Sequence, residues 1–103
     1  METVYKPRAF FRTEFGPEFM KRVEDTIKTE LGYTDEELEN LEILTWDDLV
    51  VDYEEAVKAM IGEEVWEKLG AYIDVEAMIQ DDIIGGYITE IKVGEWTLYV
   101  RER

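Results

Sequence analysis

Acidic residues are concentrated in the middle of this chain, and this charge block limits the folds that the chain can adopt. Residues 30–90 contain 19 Asp and Glu but only two basic residues, Lys58 and Lys68, whereas the segments before and after the block each carry a net charge of +1. Like charges at this density repel one another and destabilise a compact state. The block must therefore lie on the surface, around a core formed by the apolar residues between the acids.

The composition predicts a single acidic globular domain that covers residues 1–103. Hydrophobic residues make up 46% and aromatic residues 13% of the chain, which is enough for one core despite a formal net charge of -15. The absence of Cys and His removes disulfides, thiolate nucleophiles, the usual zinc ligands and the commonest proton-transfer side chain. We therefore expect neither enzymatic activity nor a cofactor. The chain has no apolar run of signal-peptide or membrane-span length, which indicates a cytoplasmic protein.

Two longer helices are predicted from apolar residues that repeat every three or four positions. The first covers residues 16–32, where Pro17 suits the first helical position and Gly32 suits the residue after the last turn. The second covers residues 46–62 and follows a capping-box pair, Thr45 and Asp48. Shorter helices are expected near residues 63–70 and 74–79, and a second capping-box pair, Thr34 and Glu37, predicts a single helical turn after Thr34. The aromatic residues expected in the core are Trp46, Tyr53, Trp66 and Tyr72.

The C-terminal residues change to a strand pattern. β-Branched and aromatic residues flank the pair Gly94 and Glu95, which predicts a β-hairpin. Residues 3–13 have strand-forming composition interrupted by Pro7, so they are expected to form an edge strand or an extended arm. The predicted fold class is α+β, with a small antiparallel sheet that includes the C-terminal hairpin and packs against two longer and two short helices.

Carboxylates on the predicted helices and on the first hairpin strand form the candidate functional surface. On the second long helix, an apolar stripe that ends at Met60 is expected to face the core, and Asp48, Asp52 and Glu55 form a row on the other side. The candidate partner-binding residues are Asp47, Asp48, Asp52, Glu54, Glu55, Glu63, Glu64, Asp74, Glu76, Asp81, Asp82 and Glu90. The alternative interpretation is an ordinary solvated surface, on which Asp74 serves only as a helix cap.

The acidic block lacks the patterns of familiar ligand sites. Pairs such as Asp81 and Asp82 offer the oxygen ligands that Mg²⁺ and Ca²⁺ prefer, but no EF-hand spacing occurs, so no dedicated metal site is expected. Gly85 and Gly86 lack the neighbours of a phosphate-binding loop and indicate a turn. Direct binding to nucleic acid is not expected either, because affinity for DNA comes from Lys and Arg that neutralise phosphates.

A surface that repels DNA can attract proteins that are built to hold DNA. Duplex DNA carries about one charge per 1.7 Å of helix axis, so the 17 excess charges of the block correspond to roughly 29 Å of duplex. A globule of about 100 residues has a radius of gyration of about 13 Å and is therefore of comparable length. The charge count thus favours an imitation of DNA.

Residues 63–100 resemble the C-terminal part of the ArdA-type antirestriction proteins of plasmids, transposons and phages. The matching positions form a Tyr-Ile-Asp-x-Glu-Ala run, an acid near the end of a short helix and a Gly-Tyr turn before a strand pair: Tyr72, Ile73, Asp74, Glu76, Ala77, Asp81 or Asp82, Gly86, Tyr87 and Glu90. Val75 replaces a usual aromatic, and Gln80 or Ile79 replaces an expected Arg. The resemblance implies an elongated, often dimeric acidic protein that imitates bent DNA and occupies the DNA groove of type I restriction-modification enzymes.

The charge and the resemblance lead to one preferred function and one alternative. The preferred function is a DNA-mimic inhibitor of a host defence enzyme that binds DNA, of the type I restriction-modification kind, acting as a monomer or a homodimer and without membrane contact. The alternative is an acidic interaction module that binds through an apolar patch or the hairpin, such as a phage inhibitor of another defence complex, CRISPR for example, or an antitoxin. Moderate salt should weaken a DNA mimic more than an apolar-patch binder.

Overall fold

Helices and strands alternate along residues 4–103, which are the residues that the computed structural model describes. The elements in chain order are β1 (Phe10–Phe11), α1 (Pro17–Thr26, continued by a π-helical segment at Ile27–Leu31), α2 (Asp35–Leu38), β2 (Leu41–Leu44), α3 (Trp46–Ile61), α4 (Glu63–Leu69, followed by a 3₁₀ turn at Gly70–Tyr72), α5 (Val75–Ile84), β3 (Thr89–Val93) and β4 (Trp96–Glu102). The α+β class is confirmed. The turn after Thr34 forms α2, so these residues contain five α-helices where four were expected.

The four strands form one sheet in the order β1-β2-β4-β3. β3 and β4 form the predicted hairpin, and Gly94 in its two-residue turn has a φ of 62°, which favours glycine. β2 is antiparallel to β4, but β1 runs parallel to β2, with Phe10 opposite Glu42. The predicted antiparallel sheet therefore consists of β2, β4 and β3, and β1 makes the sheet mixed because the chain reaches β2 from β1 through α1 and α2 rather than through a hairpin. β1 is an edge strand, as Pro7 indicated.

Helices pack on both faces of the sheet and form two hydrophobic clusters. The first cluster lies under α1 and its π-helical continuation and includes Val23, Ile27, Ile43, Leu98 and Val100. The second lies under α3 and α5 and includes Leu44, Leu49, Ile79, Ile88 and Tyr99. Because β2 lies between β1 and β4 with both faces covered, all four of its residues are buried. A short, continuously buried run of this kind lacks the alternation of a half-exposed strand, and the sequence pattern did not reveal it.

Two apolar residues that were expected in the core lie at the surface. Met60 is 83% exposed because it occupies the last turn of α3, beyond the buried part of the helix at Leu49 and Val57. Tyr72 is 85% exposed in the 3₁₀ turn after α4. The other three aromatic residues, Trp46, Tyr53 and Trp66, pack partly buried against the second cluster. The apolar stripe therefore predicted the orientation of α3 correctly but overestimated how much of its length is covered.

Both predicted capping boxes are present, and the box at Thr45 supports the longest helix. The Thr45 hydroxyl accepts a hydrogen bond from the Asp48 backbone N–H at 3.3 Å, and the Asp48 carboxylate accepts one from the Thr45 N–H at 3.2 Å. Thr45→Ala should therefore lower the free energy of unfolding by about 1 kcal/mol. Urea denaturation followed by tryptophan fluorescence measures this change, with Thr45→Ser as the control that keeps the hydroxyl. Equal stability of the alanine variant and the wild type would contradict a capping role.

The molecule is long for its size. Its principal extents are 55 × 30 × 26 Å and its radius of gyration is 15.9 Å, compared with about 13 Å for an ordinary domain of about 100 residues. Within residues 4–103, no helix combines the length and apolar character needed to cross a bilayer.

Candidate functional site: the acidic surface

The carboxylates of the charge block divide into an exposed majority and an inward-facing minority. Of the 19 acidic residues in 30–90, fifteen are exposed. The other four are Glu42, Asp48, Asp52 and Asp82. Most of the charge of the block therefore faces solvent, on a rigid framework of helices and strands.

Nine of the twelve candidate residues lie on the exposed surface. They are Asp47, Glu54, Glu55, Glu63, Glu64, Asp74, Glu76, Asp81 and Glu90. The remaining three, Asp48, Asp52 and Asp82, are half-buried and hydrogen-bonded to other side chains. The placement of these three in an open acidic surface was therefore wrong, and so was the predicted row of Asp48, Asp52 and Glu55.

Asp52 belongs to a network of two carboxylates and two arginines, which we call the arginine–carboxylate network: Arg12, Glu42, Asp52 and Arg101. Arg12 contacts Asp52 at 2.8 Å and Glu42 at 3.0 Å. Arg101 contacts each of the same two carboxylates at 2.6 Å. The network joins the segment after β1 to β2, α3 and β4. Its hydrogen bonds join residues up to 59 positions apart, so no local sequence pattern could have predicted it.

The arginine–carboxylate network is electrically neutral, and it extends from the buried Glu42 to Arg12 at the surface. Hydrogen bonds to Asp52 and then to Glu42 raise the pKa of Arg12. Burial acts to lower the pKa of Arg101, but its hydrogen bonds to Glu42 and Asp52 outweigh burial, and the net shift is upward. Both arginines therefore remain charged. Two of the five arginines in the chain are used inside the fold, which leaves them unavailable to neutralise the exposed carboxylates.

Asp48 and Asp82 are held by hydroxyl groups. Asp48 accepts a hydrogen bond from the Thr13 hydroxyl at 2.8 Å. Burial acts to raise the pKa of Asp48, but the hydrogen bonds from Thr13 and Thr45 and the nearby charge of Arg12 outweigh it and lower the pKa. Asp82 accepts a hydrogen bond from the Tyr53 hydroxyl, and burial together with this bond raises the pKa of Tyr53 to about 12. These two carboxylates therefore anchor α3 and α5 within the fold.

The exposed acidic face of α3 consists of Asp47, Glu54 and Glu55. Asp47 and Glu54 are seven residues apart, so they lie on nearly the same line along the helix, about 10 Å from each other. Glu54 and Glu55 also line a shallow groove of about 190 Å³ between α3 and α4, together with Trp66. These three carboxylates replace the predicted row as the acidic surface of this helix.

The carboxylates of α4, α5 and β3 extend the acidic surface less regularly. Glu63 and Glu64 lie in the first turn of α4. Asp74 caps α5, since it accepts a hydrogen bond from the Ala77 backbone N–H at 3.0 Å. On α5, Glu76 and Asp81 are about 140° apart around the helix axis and so do not form a row. The carboxylates are therefore distributed around the helices rather than confined to one flat face.

Few of the exposed carboxylates in the block have a cationic partner. Among the described residues, three of the fifteen form ion pairs with Lys or Arg: Asp35, Glu39 and Glu63. The other twelve form none within residues 4–103. In the same range, no three acidic side chains come together in an arrangement that could hold a metal ion. The exposed carboxylates are thus separate negative charges, and most of them lack an ion-pair partner among the described residues.

An apolar groove lies between α3 and α5, and the sequence did not predict it. Its cavity measures about 430 Å³ and is lined by Asp52, Tyr53, Ala56, Val57, Met60, Met78 and Arg101. We call it the methionine groove. The apolar stripe of α3 predicted that Met60 would face the core. The only signal in the sequence for a groove was that no further apolar element was predicted to cover Met60.

The residues that resemble the ArdA family lie mainly at the surface of α5 and the turn before β3. Tyr72 and Tyr87 are exposed, and Gly86, at a φ of 83°, forms the turn between α5 and β3. Comparisons of this chain with protein families, curated proteins and solved structures found no match.

Proposed function

We propose that this protein is a DNA mimic that inhibits a DNA-binding host defence enzyme of the type I restriction-modification kind through its exposed carboxylates. The observation that carries the proposal is the separation of charges by the fold. Glu42 and Asp52 are neutralised by Arg12 and Arg101 inside the molecule, while twelve exposed carboxylates have no ion pair among the described residues. A surface with this excess is complementary to a channel lined with Lys and Arg.

The number and extent of the charges are compatible with this role. Proteins that bind DNA commonly neutralise about 6–10 phosphates, and twelve exposed carboxylates cover that number. The long dimension of 55 Å corresponds to about 16 base pairs at about 3.4 Å per step. Over this length, the protein carries fewer carboxylates than a DNA duplex carries phosphates. We therefore propose that the carboxylates replace some of the phosphates that the enzyme contacts, and not that the protein reproduces the whole duplex.

Neutralising the acidic face of α3 tests the proposal. The variant Asp47→Asn/Glu54→Gln/Glu55→Gln should inhibit DNA cleavage by a type I restriction enzyme about tenfold less well, since three lost charge contacts of about 0.5 kcal/mol each amount to roughly 1.4 kcal/mol. The assay measures cleavage of unmodified duplex DNA over a range of inhibitor concentrations.

The matched control removes three exposed charges from outside the block, in the variant Glu14→Gln/Asp25→Asn/Glu95→Gln. This variant should retain inhibition within about twofold. Unlabelled duplex DNA should compete with the wild-type protein for the enzyme, and an increase in salt from about 50 to 200 mM should weaken the inhibition. Equal losses in the two triple variants, or inhibition that is insensitive to DNA and salt, would contradict the proposal.

The exposed apolar residues of the helical region favour the alternative, an interaction module that binds through an apolar patch. Met60 and Ile84 are both 83% exposed, and Tyr87 is 76% exposed. Met60 also lines the methionine groove with the exposed Met78, and adjacent exposed apolar side chains mark surfaces for protein contact. A partner held through them would remain bound at high salt, which is the outcome that separates this alternative from a DNA mimic.

A further inference from the structure

The methionine groove is an open apolar concavity between two packed helices. α3 contributes Ala56, Val57 and Met60, and α5 contributes Met78, which is 40% exposed. Its volume of about 430 Å³ lies within the range of about 300–1,000 Å³ that is typical of binding pockets. Methionine side chains adapt their shape to irregular partners. The groove is therefore suited to receive apolar side chains from outside.

Acidic residues flank this groove along α5. Asp74 lies one helical turn before Met78 and Asp81 lies one turn after it, so both exposed carboxylates are neighbours of Met78 on the helix. Asp82 does not belong to this border, because it faces inward and accepts the hydrogen bond from Tyr53. The α5 side of the groove therefore combines an apolar floor with a negative border.

The cationic residue that lines the groove, Arg101, does not neutralise the negative charge of this border. Arg101 is paired with Glu42 and Asp52 at 2.6 Å, so its charge is balanced within the arginine–carboxylate network. No Lys or Arg occurs in residues 69–91. The exposed carboxylates beside the groove on α5 are therefore not balanced by a nearby base in that segment, and an occupant with positive charges beside its apolar side chains is favoured.

We infer that the methionine groove binds a cationic amphipathic helix of a partner protein. The apolar stripe of that helix occupies the groove, and its Lys and Arg residues face Asp74 and Asp81. A groove between two helices accepts a third helix whose apolar residues recur at positions i, i+3, i+4 and i+7. A second copy of this chain is disfavoured as the occupant, because each copy carries a net charge of -15 and the two would repel each other.

This inference rests on the proposed function in one respect, since the occupant is taken to belong to the same basic partner. The groove supplies contacts that persist at high salt, whereas the carboxylates of α3 supply contacts that salt screens. A complex that uses both would associate rapidly through charge and be retained through apolar contact.

A model peptide tests the inference without any restriction enzyme. The probe is a fluorescent peptide of about 18 residues, five helical turns, that contains only leucine and lysine with leucine on one helical face. The comparison peptide has the same composition with its leucines scattered. In fluorescence anisotropy at about 150 mM NaCl, the amphipathic peptide should bind the full-length protein at least about tenfold more tightly than the scattered one.

Paired variants locate the binding site. Ala56→Gln/Met60→Gln changes two exposed residues of the groove, and Ala77→Gln/Ile84→Gln changes two exposed residues of α5 outside the groove lining. Met60 and Ile84 are equally exposed at 83%, which makes the second variant a matched control. The groove variant should bind the amphipathic peptide about tenfold more weakly, and the control variant should stay within about twofold of the wild type.

Several outcomes would overturn the inference. These are equal binding of the two peptides, equal binding by the two variants, or a dimer in sedimentation velocity that the groove variant alone dissociates, which would make a second copy the occupant. Peptide binding without inhibition of the restriction enzyme would refute the proposed function but would still support the inference that the methionine groove is a binding site. Inhibition of the restriction enzyme without groove-dependent peptide binding would refute only the inference that the methionine groove binds a helix.

Discussion

Replacing both Arg12 and Arg101 with methionine is expected to lower the free energy of unfolding by about 3–5 kcal/mol, the usual effect of leaving buried charges without partners. The Glu42 side chain is only 10% exposed and that of Asp52 only 18%. Without the arginines, the buried Glu42 would have no cationic partner, and the half-buried Asp52 would add a second negative charge beside it. Urea denaturation at pH 7, followed by circular dichroism, measures the loss.

Two further variants separate the arginine–carboxylate network from charge effects in general. Lys28→Met breaks an exposed ion pair with Asp35 and should leave the urea midpoint close to that of the wild type, because exposed ion pairs contribute little to stability. The fully apolar variant Arg12→Met/Glu42→Leu/Asp52→Leu/Arg101→Met should recover most of the lost stability, because replacing all members of a buried ionic group is often neutral. A double arginine variant that is as stable as the wild type would show that the network contributes nothing to the fold.

Replacing Glu24 with alanine is the second change with a large expected effect, a loss of about 3 kcal/mol in the free energy of unfolding. Glu24 is 1% exposed. Its carboxylate accepts hydrogen bonds from the backbone N–H groups of Ala9 at 2.7 Å and Arg8 at 2.8 Å, and from the Tyr5 hydroxyl. Alanine would leave a cavity and remove the acceptor for the buried N–H of Ala9. Asp25→Ala, at the exposed neighbouring position, is the control and should change stability by less than about 0.5 kcal/mol.

The same residue predicts a dependence of stability on pH. Burial raises the pKa of Glu24, although hydrogen bonds from Ala9 and Arg8 act to lower it. A carboxyl group whose pKa is higher in the folded state stabilises the fold most at low pH, and this contribution declines as the pH rises from the unfolded value toward the folded one. Glu24→Gln removes the titration. The stability of the wild type relative to Glu24→Gln should therefore fall as the pH rises above about 4, the usual range of a Glu carboxyl. A rise above that pH in urea denaturation experiments would contradict the assignment.

Local features of the fold were predicted correctly because their interactions span only a few residues. The capping boxes at Thr34 and Thr45, the cap at Asp74 and the turn at Gly94 all connect groups within about four positions of one another. The burial of Met60 was predicted wrongly for the converse reason. A helical stripe determines which side of a helix faces inward, but only neighbouring elements determine how far along the helix that side is covered.

The sequence by itself determined the size and position of the acidic block, the amphipathic helices and the hairpin, because composition, periodicity and caps are properties of short segments. Only the tertiary structure decided which carboxylates of the block remain on the surface. In the sequence, nothing distinguishes the carboxylates of Asp48 and Asp52 from those of Glu54 and Glu55. They turn inward because packing brings Thr13, Arg12 and Arg101 from distant parts of the chain to meet them. A carboxylate can be buried only where such a partner offsets its lost hydration, and that depends on contacts between residues far apart in the chain.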